Sequence, residues 1–314
     1  LKFFARAPGK IIITGEHFVV HDSYALAAAI NRGATVEARS HDSLEILSKN
    51  LGLKASYPHK VPPPLSPVAE SVAATLKFLG IRKGVKLVIH SDLPSGSGLG
   101  SSSAVAVASI SSVFALAGEQ PVSKKVVELA MISERMVHGN PSGIDPTVSC
   151  YGGVLLFQKG KSPELLKIER PVEFVVAYSG IGRKTSRLID KVSKMKASFP
   201  HLFSALASSS TTLSRIAGSS IASGDLTTLG SILNFYHMIL SRIGASTKVL
   251  DSMVETALSS GCLGAKLTGA GGGGCIIALP KPSSSREVLT NLSQISKEVF
   301  IVRVPVEGVR VWRE

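Results

Sequence analysis

Two domains of mixed strand and helix, of α/β type, are what this sequence predicts. Three observations predict them. Short apolar runs of strand length are interspersed with longer runs of helical period through the first half of the chain. Two glycine-rich clusters, residues 94–104 and 268–274, each follow a strand candidate. The pattern turns mostly helical beyond residue 171, so a boundary is placed between domains 1–171 and 172–314. A length of 314 residues suits one large or two medium domains.

The elements follow in order. Residues 3–17 read as a strand, a Pro8-Gly9 turn and a second strand ending at Gly15. Residues 34–39 and 44–48 are further strand candidates, and the proline-rich stretch 54–67 reads as a loop. A helix over 67–79 is closed by Gly80. The strand 85–90 leads into the first glycine cluster, and the small apolar run 104–117 behind it is a buried helix. Ser123 caps a helix that runs to His138, stops at Gly139 and buries Val126, Leu129, Ala130 and Val137. Residues 140–146 form a turn cluster, and 152–157 and 174–178 are strands. Helices are expected over 183–198, 202–217, 225–243 and 246–260, with Asp225 and Ser246 as N-caps. Strands 266–268 and 275–279 flank the second glycine cluster, and a helix near 283–296 and strands 299–304 and 308–312 finish the chain.

Composition excludes several classes. Lys and Arg outnumber Asp and Glu by 35 to 22, but the basic residues are dispersed and no aromatic ladder runs between them. That argues against a nucleic-acid partner and for a field that draws in small anions. Aromatics are only 5% of residues, so the core must be aliphatic. No apolar run reaches about 18 residues, so no membrane span is expected. Gly9, Lys10 and Glu16 interrupt the first apolar stretch, so no signal peptide is expected and the location is read as cytoplasmic. The three cysteines suit a reducing compartment, and no histidine pair has zinc spacing.

The glycine clusters carry the chemistry. Gly96, Gly98 and Gly100 alternate, which lets successive N–H groups turn toward one point just before a helix start. Such a loop favours an anion, most plausibly the phosphates of a nucleotide; the alternative is a plain serine-capped helix start. Residues 268–274 hold five glycines but are followed by a strand, so the dinucleotide fingerprint fails. They read as a loop that approaches a ligand closely, or as a simple strand connection. No G-x-x-x-x-G-K-[ST] and no protein-kinase motif set occurs. Phosphoryl transfer needs phosphate donors, a metal ligand set, a cation and a group for the acceptor's proton. Ser101, Ser102 and Ser103 offer hydroxyls to Mg²⁺, and Glu134 offers a hard oxygen ligand or is a solvated helix acid. Asp145 is a base or a helix cap, and Lys10 reaches into a cleft or lies on the surface. Glu16 and His17 sit at a strand end, where site residues gather, and Thr185 is a site residue or an N-cap.

Three segments resemble the GHMP kinase superfamily, and they occur in its order: Ala7-Pro8-Gly9-Lys10 through Gly15-Glu16-His17, then 93–104, then 266–275. Within it, Glu134-Arg135-Met136-Val137-His138-Gly139-Asn140-Pro141-Ser142-Gly143-Ile144-Asp145 is similar to the catalytic segment of the mevalonate kinase family. Residues 15–21 with Ala25-Leu26-Ala27, and residues 234–247, fit that family too. The resemblance implies an α+β, two-lobed fold. Its N-terminal lobe would contain a left-handed βαβ crossover, its C-terminal lobe would be ferredoxin-like, and the site would lie between them. It implies ATP- and Mg²⁺-dependent phosphorylation of the C5 hydroxyl of (R)-mevalonate, in isoprenoid and sterol precursor synthesis. Asp145 would be the base, and Lys10 would hold its carboxylate ionised and favour the developing alkoxide. Ser102 and Glu134 would ligate Mg²⁺. Gly96, Ser97, Gly98, Leu99, Gly100, Ser101 and Ser102 would wrap the ATP phosphates, with Ser91 and Asn50 along the nucleotide. Glu16, His17 and Thr185 would contact mevalonate or orient its neighbours. Direct in-line transfer with a merely orienting Asp145 stays open, as do a sister kinase acting on phosphomevalonate, galactose or homoserine and a non-catalytic basic ligand- or nucleic-acid-binding protein on the same scaffold. A homodimer is compatible with the reading, and neither nucleic acid nor membrane is an expected partner. Pro94-Ser95 departs from the Pro-Pro of animal forms, with no expected effect on chemistry.

Overall fold

A computed structural model describes residues 1–182 and 195–314. The first sheet is built from β1 (Phe3–Thr14), β2 (Ala25–His41), β3 (Leu44–Ser48), β4 (Leu53–Tyr57), β5 (Gly84–Ser91), β6 (Val154–Phe157), β7 (Glu164–Leu166) and β12 (Arg310–Arg313). Its order is β12-β1-β2-β5-β3-β4, with β6 pairing β2 and β7 pairing β6. Helices α1 (Ser66–Phe78), α2 (Ser101–Leu116), α3 (Ser123–His138) and α4 (Ile144–Tyr151) belong to this lobe. The second sheet, order β11-β8-β10-β9, is formed by β8 (Val172–Tyr178), β9 (Cys262–Thr268), β10 (Cys275–Pro280) and β11 (Glu298–Val304). With it come α5 (Pro200–Ser223), α6 (Leu226–Arg242), α7 (Lys248–Ser259) and α8 (Ser285–Ser293).

The two sheets correct the α/β reading drawn from the residues alone and agree with the α+β fold that the resemblance implied. Among the described residues only β3 and β5 pair in parallel, and β4 and α1 lie between them in the chain. The second sheet is antiparallel throughout, and its order is that of a ferredoxin-like βαββαβ unit. No helix among the described residues is long and apolar enough to cross a membrane.

Several local expectations are overturned, each for a physical reason. Pro8-Gly9 is not a turn. Strand β1 runs straight through it, and the register against β2 slips there, from Pro8↔Gly33 to Gly9↔Ile30. A proline without an N–H is tolerated at such a bulge. Residues 25–30, outside the strand candidates, are the first part of β2. They are buried on both faces: Leu26, Ala28 and Ile30 face the main core, and Ala25, Ala27 and Ala29 face a smaller cluster with Ile144 and Val148. A strand covered on both sides reads as a continuous apolar run. Part of the expected loop 54–67 is β4, paired with β3. Ser123 does not cap α3. Val122 stands at that position with no side-chain bond, and α3 is held instead by its buried stripe, from which Val137 is excluded at 46% exposure. The turn cluster 140–146 runs into α4, which starts after Gly143 at φ +88°. Thr247, not Ser246, caps α7, while Asp225 caps α6 as expected. Of the helix expected over 183–198, residues 183–194 lie outside the described residues and 195–198 are helical. The strand expected near the end of the second domain, β12, crosses back to pair with β1, where Trp312 stacks on Phe4 at 5.6 Å.

Candidate active site

The first glycine loop lies on β1. Lys10 N donates to Leu99 O at 2.8 Å, and a Cβ on Gly9 would stand 2.7 Å from that same oxygen. Gly9 is therefore glycine because the loop backbone sits where a side chain would go. Leu99 is fully buried, which contributes about 1.5–3 kcal/mol to holding the loop down. Gly96, Gly98 and Gly100 have φ of +71°, +84° and +77°, a conformation that L side chains rarely adopt. Helix α2 then begins at Ser101 with no side-chain cap, so its first N–H groups remain available to an anion. A cavity of about 420 Å³ opens here, lined by Asn50, Ser91, Ser95, Gly96, Ser101, Ser102 and Ser133 among others. Asn50 and Ser91 exchange two hydrogen bonds, side-chain amide to backbone, at 2.6 and 2.7 Å. The Asn50 amide is thus committed to fixing the end of β5.

A second cavity, of about 330 Å³, is lined by Lys10, Glu16, His17, Glu134 and Asp145 with Ile12, Val19 and Ile144 among its apolar walls. Lys10 is no surface lysine: it is 1% exposed, its Nζ lies 3.3 Å from Asp145 Oδ1, and it donates to Gly98 O at 3.1 Å. One ammonium therefore ties the glycine loop to the carboxylate of the second cavity. Asp145 sits in the first turn of α4, where the helix dipole favours negative charge. Glu134, on the buried stripe of α3, accepts a hydrogen bond from Ser103 Oγ. Burial, reinforced by the nearby Asp145 charge, pushes its carboxyl up to about 7. Two carboxylates thus share one ammonium, and the cluster is short of positive charge. Glu134, Asp145 and the serine hydroxyls at the start of α2 are hard oxygen donors that suit Mg²⁺, which draws its remaining ligands from water and substrate phosphates. Among the described residues no group of three or more His, Cys, Asp or Glu gathers as a self-sufficient metal cage.

The wall between the lobes is stitched by the second glycine cluster. Thr268 Oγ1 accepts from Ile12 N at 2.9 Å and donates to Ile12 O at 3.0 Å. His17 holds a left-handed backbone at φ +63°, and its Nε2 lies 2.9 Å from Ala270 O. Glu16 and Lys266 form a fully buried ion pair. Lys266 Nζ also donates to Leu267 O at 2.6 Å and Ile12 O at 3.4 Å, so its three protons all have oxygen acceptors. Burial pushes Glu16 up and Lys266 down, and their mutual attraction opposes both shifts. Gly269 and Ala270 line the second cavity, so this cluster borders that cavity as well as joining two strands.

Most sequence-derived candidates thus gather in two places. Asn50, Ser91, Gly96, Ser101 and Ser102 line the first cavity, and the buried Ser97 and Leu99 belong to the loop that forms its edge. Lys10, Glu16, His17, Glu134 and Asp145 line the second. Thr185 lies outside the described residues. The hydroxyl bonded to Glu134 belongs to Ser103, while Ser102 faces the first cavity. Sequence reasoning missed Lys266 and Ser133. A lysine inside the otherwise apolar strand β9 was the available signal for the first. Nothing local marked Ser133, whose buried hydroxyl has no partner and which separates the two cavities together with Glu134.

Comparison with known proteins is consistent over the whole chain. Residues 67–153 match the GHMP kinases N terminal domain, and residues 218–296 match GHMP kinases C terminal. The mevalonate kinase of Thermococcus sibiricus is 36% identical, over 99% of this chain and 98% of the relative. That of Pyrococcus horikoshii is 37% identical, over 98% and 97%. Among solved structures, L. major mevalonate kinase in complex with R-mevalonate superposes with a TM-score of 0.81 at 28% identity, covering 96% of each chain.

Proposed function

Because the chain belongs to the GHMP kinases and, within them, to the mevalonate kinase family, we infer that it transfers the γ-phosphoryl group of ATP to (R)-mevalonate. The products are 5-phosphomevalonate and ADP. The observation that carries the reading is the buried Lys10, which contacts both Asp145 at 3.3 Å and the Gly98 carbonyl at 3.1 Å. That pair of contacts supports a proton acceptor and a fixed positive charge acting beside the glycine loop.

The roles follow from the two cavities. ATP occupies the loop cavity, with its phosphates against the N–H groups of residues 96–102 and the start of α2. Ser91 and Asn50 shape the wall along the nucleotide. Mevalonate occupies the second cavity. Its C5 hydroxyl gives its proton to Asp145 as the oxygen attacks the γ-phosphorus, and the bond from phosphorus to the β-phosphate oxygen breaks. The Lys10 ammonium stabilises negative charge on the attacking oxygen without moving during the reaction. His17 and Glu16 border the acceptor, while a role for Thr185 rests on the family resemblance alone. Ser102 and Glu134 would hold Mg²⁺, with Ser103 orienting Glu134, and the ion would neutralise charge on the phosphates when bound. Residues 1–171, completed by β12, form the nucleotide-binding lobe, and the remainder of 172–314 closes the acceptor side.

A panel of acceptors tests the substrate. ADP release is measured with mevalonate, phosphomevalonate, galactose and homoserine at saturating Mg²⁺-ATP. Turnover is expected with mevalonate. No turnover with it, alongside turnover of another acceptor, would overturn the assignment.

A further inference from the structure

Three carboxylates border the acceptor cavity: Glu16, Glu134 and Asp145. The acceptor inferred above is itself a carboxylate, and the argument here rests on that reading. Like charges in a protein cleft repel more strongly than in bulk water, so each of the three needs a counter-charge before an anion can enter. Lys10 supplies it for Asp145. Glu134 is the carboxylate left for a metal cation. For Glu16 the counter-charge is Lys266, which lies behind the cavity wall, wholly buried and out of reach of any ligand.

Stability alone does not account for this pair, because buried ion pairs rarely stabilise more than apolar residues of the same volume. The pair is also incomplete on the carboxylate side. Glu16 Oε1 takes Lys266 and Gly269 N, whereas Oε2 is buried with no hydrogen-bond partner. The ammonium, by contrast, is fully satisfied by Glu16, Leu267 O and Ile12 O. Lys266 comes from the second lobe and Glu16 and Ile12 from the first, so the charge is delivered across the lobe boundary to the rim of the site.

We infer that Lys266 is a positioning residue for the acceptor: it is the counter-ion that lets the Glu16 carboxylate border a site for an anion, and it sets mevalonate affinity without touching mevalonate. Removing its charge leaves the Glu16 carboxylate at the cavity wall without its counter-ion.

The test compares Lys266→Met in two backgrounds, native and Glu16→Gln, reading the KM values for mevalonate and for ATP separately. With Glu16 present, the substitution raises the mevalonate KM by about tenfold or more and the ATP KM by less than about threefold. With Gln at position 16, the same substitution raises the mevalonate KM by less than about threefold, because no charge is left uncovered. Equal rises in both backgrounds, or an ATP KM that climbs in step, would overturn the inference and leave Lys266 a purely structural residue. If Lys266→Met does not fold, Lys266→Arg carries the test. It keeps the charge and holds the mevalonate KM within about threefold, and a tenfold rise overturns the inference. Absence of mevalonate turnover by the native protein would instead defeat the substrate assignment.

Discussion

The loop cavity and the acceptor cavity meet at α3, where Ser133 lines one and Glu134 the other. Their walls differ in kind. The loop cavity is bounded by backbone amides, serine hydroxyls, the Asn50 amide and aliphatic side chains, with no acidic or basic side chain on its wall among the described residues. The acceptor cavity is bounded by Lys10, Glu16, Glu134, Asp145 and histidines. Phosphates need many weak, fixed donors, which a backbone supplies wherever glycine lets it turn. Proton transfer needs a few titratable groups with controlled charge, and only side chains supply those. Substitutions at the acceptor cavity should therefore change rate and pH response, and substitutions at the loop should change nucleotide affinity.

The largest effect is expected at Asp145. Asp145→Asn keeps the shape of the acceptor cavity but removes the proposed proton acceptor, so kcat falls by about 10²–10⁴ while ATP affinity changes little. Steady-state kinetics with a direct nucleotide-binding measurement checks it. A loss of kcat below about tenfold would favour in-line transfer with Asp145 only orienting the hydroxyl.

Next comes the pH response of the ligand-free protein. Glu134 is raised from 4.5 to about 7, chiefly by burial, so its stabilising contribution is complete below 4.5 and is lost as pH rises through 7. At about 1.4 kcal/mol per pKa unit, native stability relative to Glu134→Gln should decline by roughly 3 kcal/mol across that window and level off above it. Denaturant melts of both proteins without Mg²⁺ read the difference. A flat difference would mean that Glu134 is not held in the buried environment described.

Glycine substitutions sharpen the boundary between the cavities. Gly96→Ala and Gly100→Ala both force alanine into a left-handed conformation, at about 1–2 kcal/mol each. Only at Gly100 does the new Cβ also meet Lys10, at 3.1 Å from its Cγ; at Gly96 nothing lies within 4 Å. Gly96→Ala should raise the ATP KM by roughly tenfold and spare kcat. Gly100→Ala should depress both, because it disturbs the lysine that serves the other cavity. Identical profiles for the two variants would dissolve the distinction. The smallest effect is expected at Ser103. Ser103→Ala removes one hydrogen bond from Glu134 and should raise the Mg²⁺ concentration for half-maximal activity by about two- to fivefold.

Legibility followed the same division. The alternating glycines, the apolar run before them and the helix after them are contiguous, so residues 85–117 are legible as a strand, a glycine loop and a helix from the sequence alone. Lys10 and Asp145 looked like a surface lysine and a helix cap because nothing near either of them signals the other. They are 3.3 Å apart only because β1 carries Lys10 under the loop and Gly143 turns the chain into α4. Their roles were expected from family resemblance, not from their local chemistry. Lys266 opens a strand candidate and the third family-like segment, with no local sign of a charge partner, and Glu16 is remote in the chain.

By itself, then, the sequence determined the helices of strong period, the change of character near residue 171 and the glycine loop that runs into α2, because each rests on interactions between near neighbours. The tertiary structure alone decided that β12 returns to the first sheet, that Ser103 rather than Ser102 bonds Glu134, and that Lys266 stands behind Glu16. Those outcomes depend on burial and on charges brought together from distant segments. A charge's partner and its solvent exposure exist only once the chain is packed.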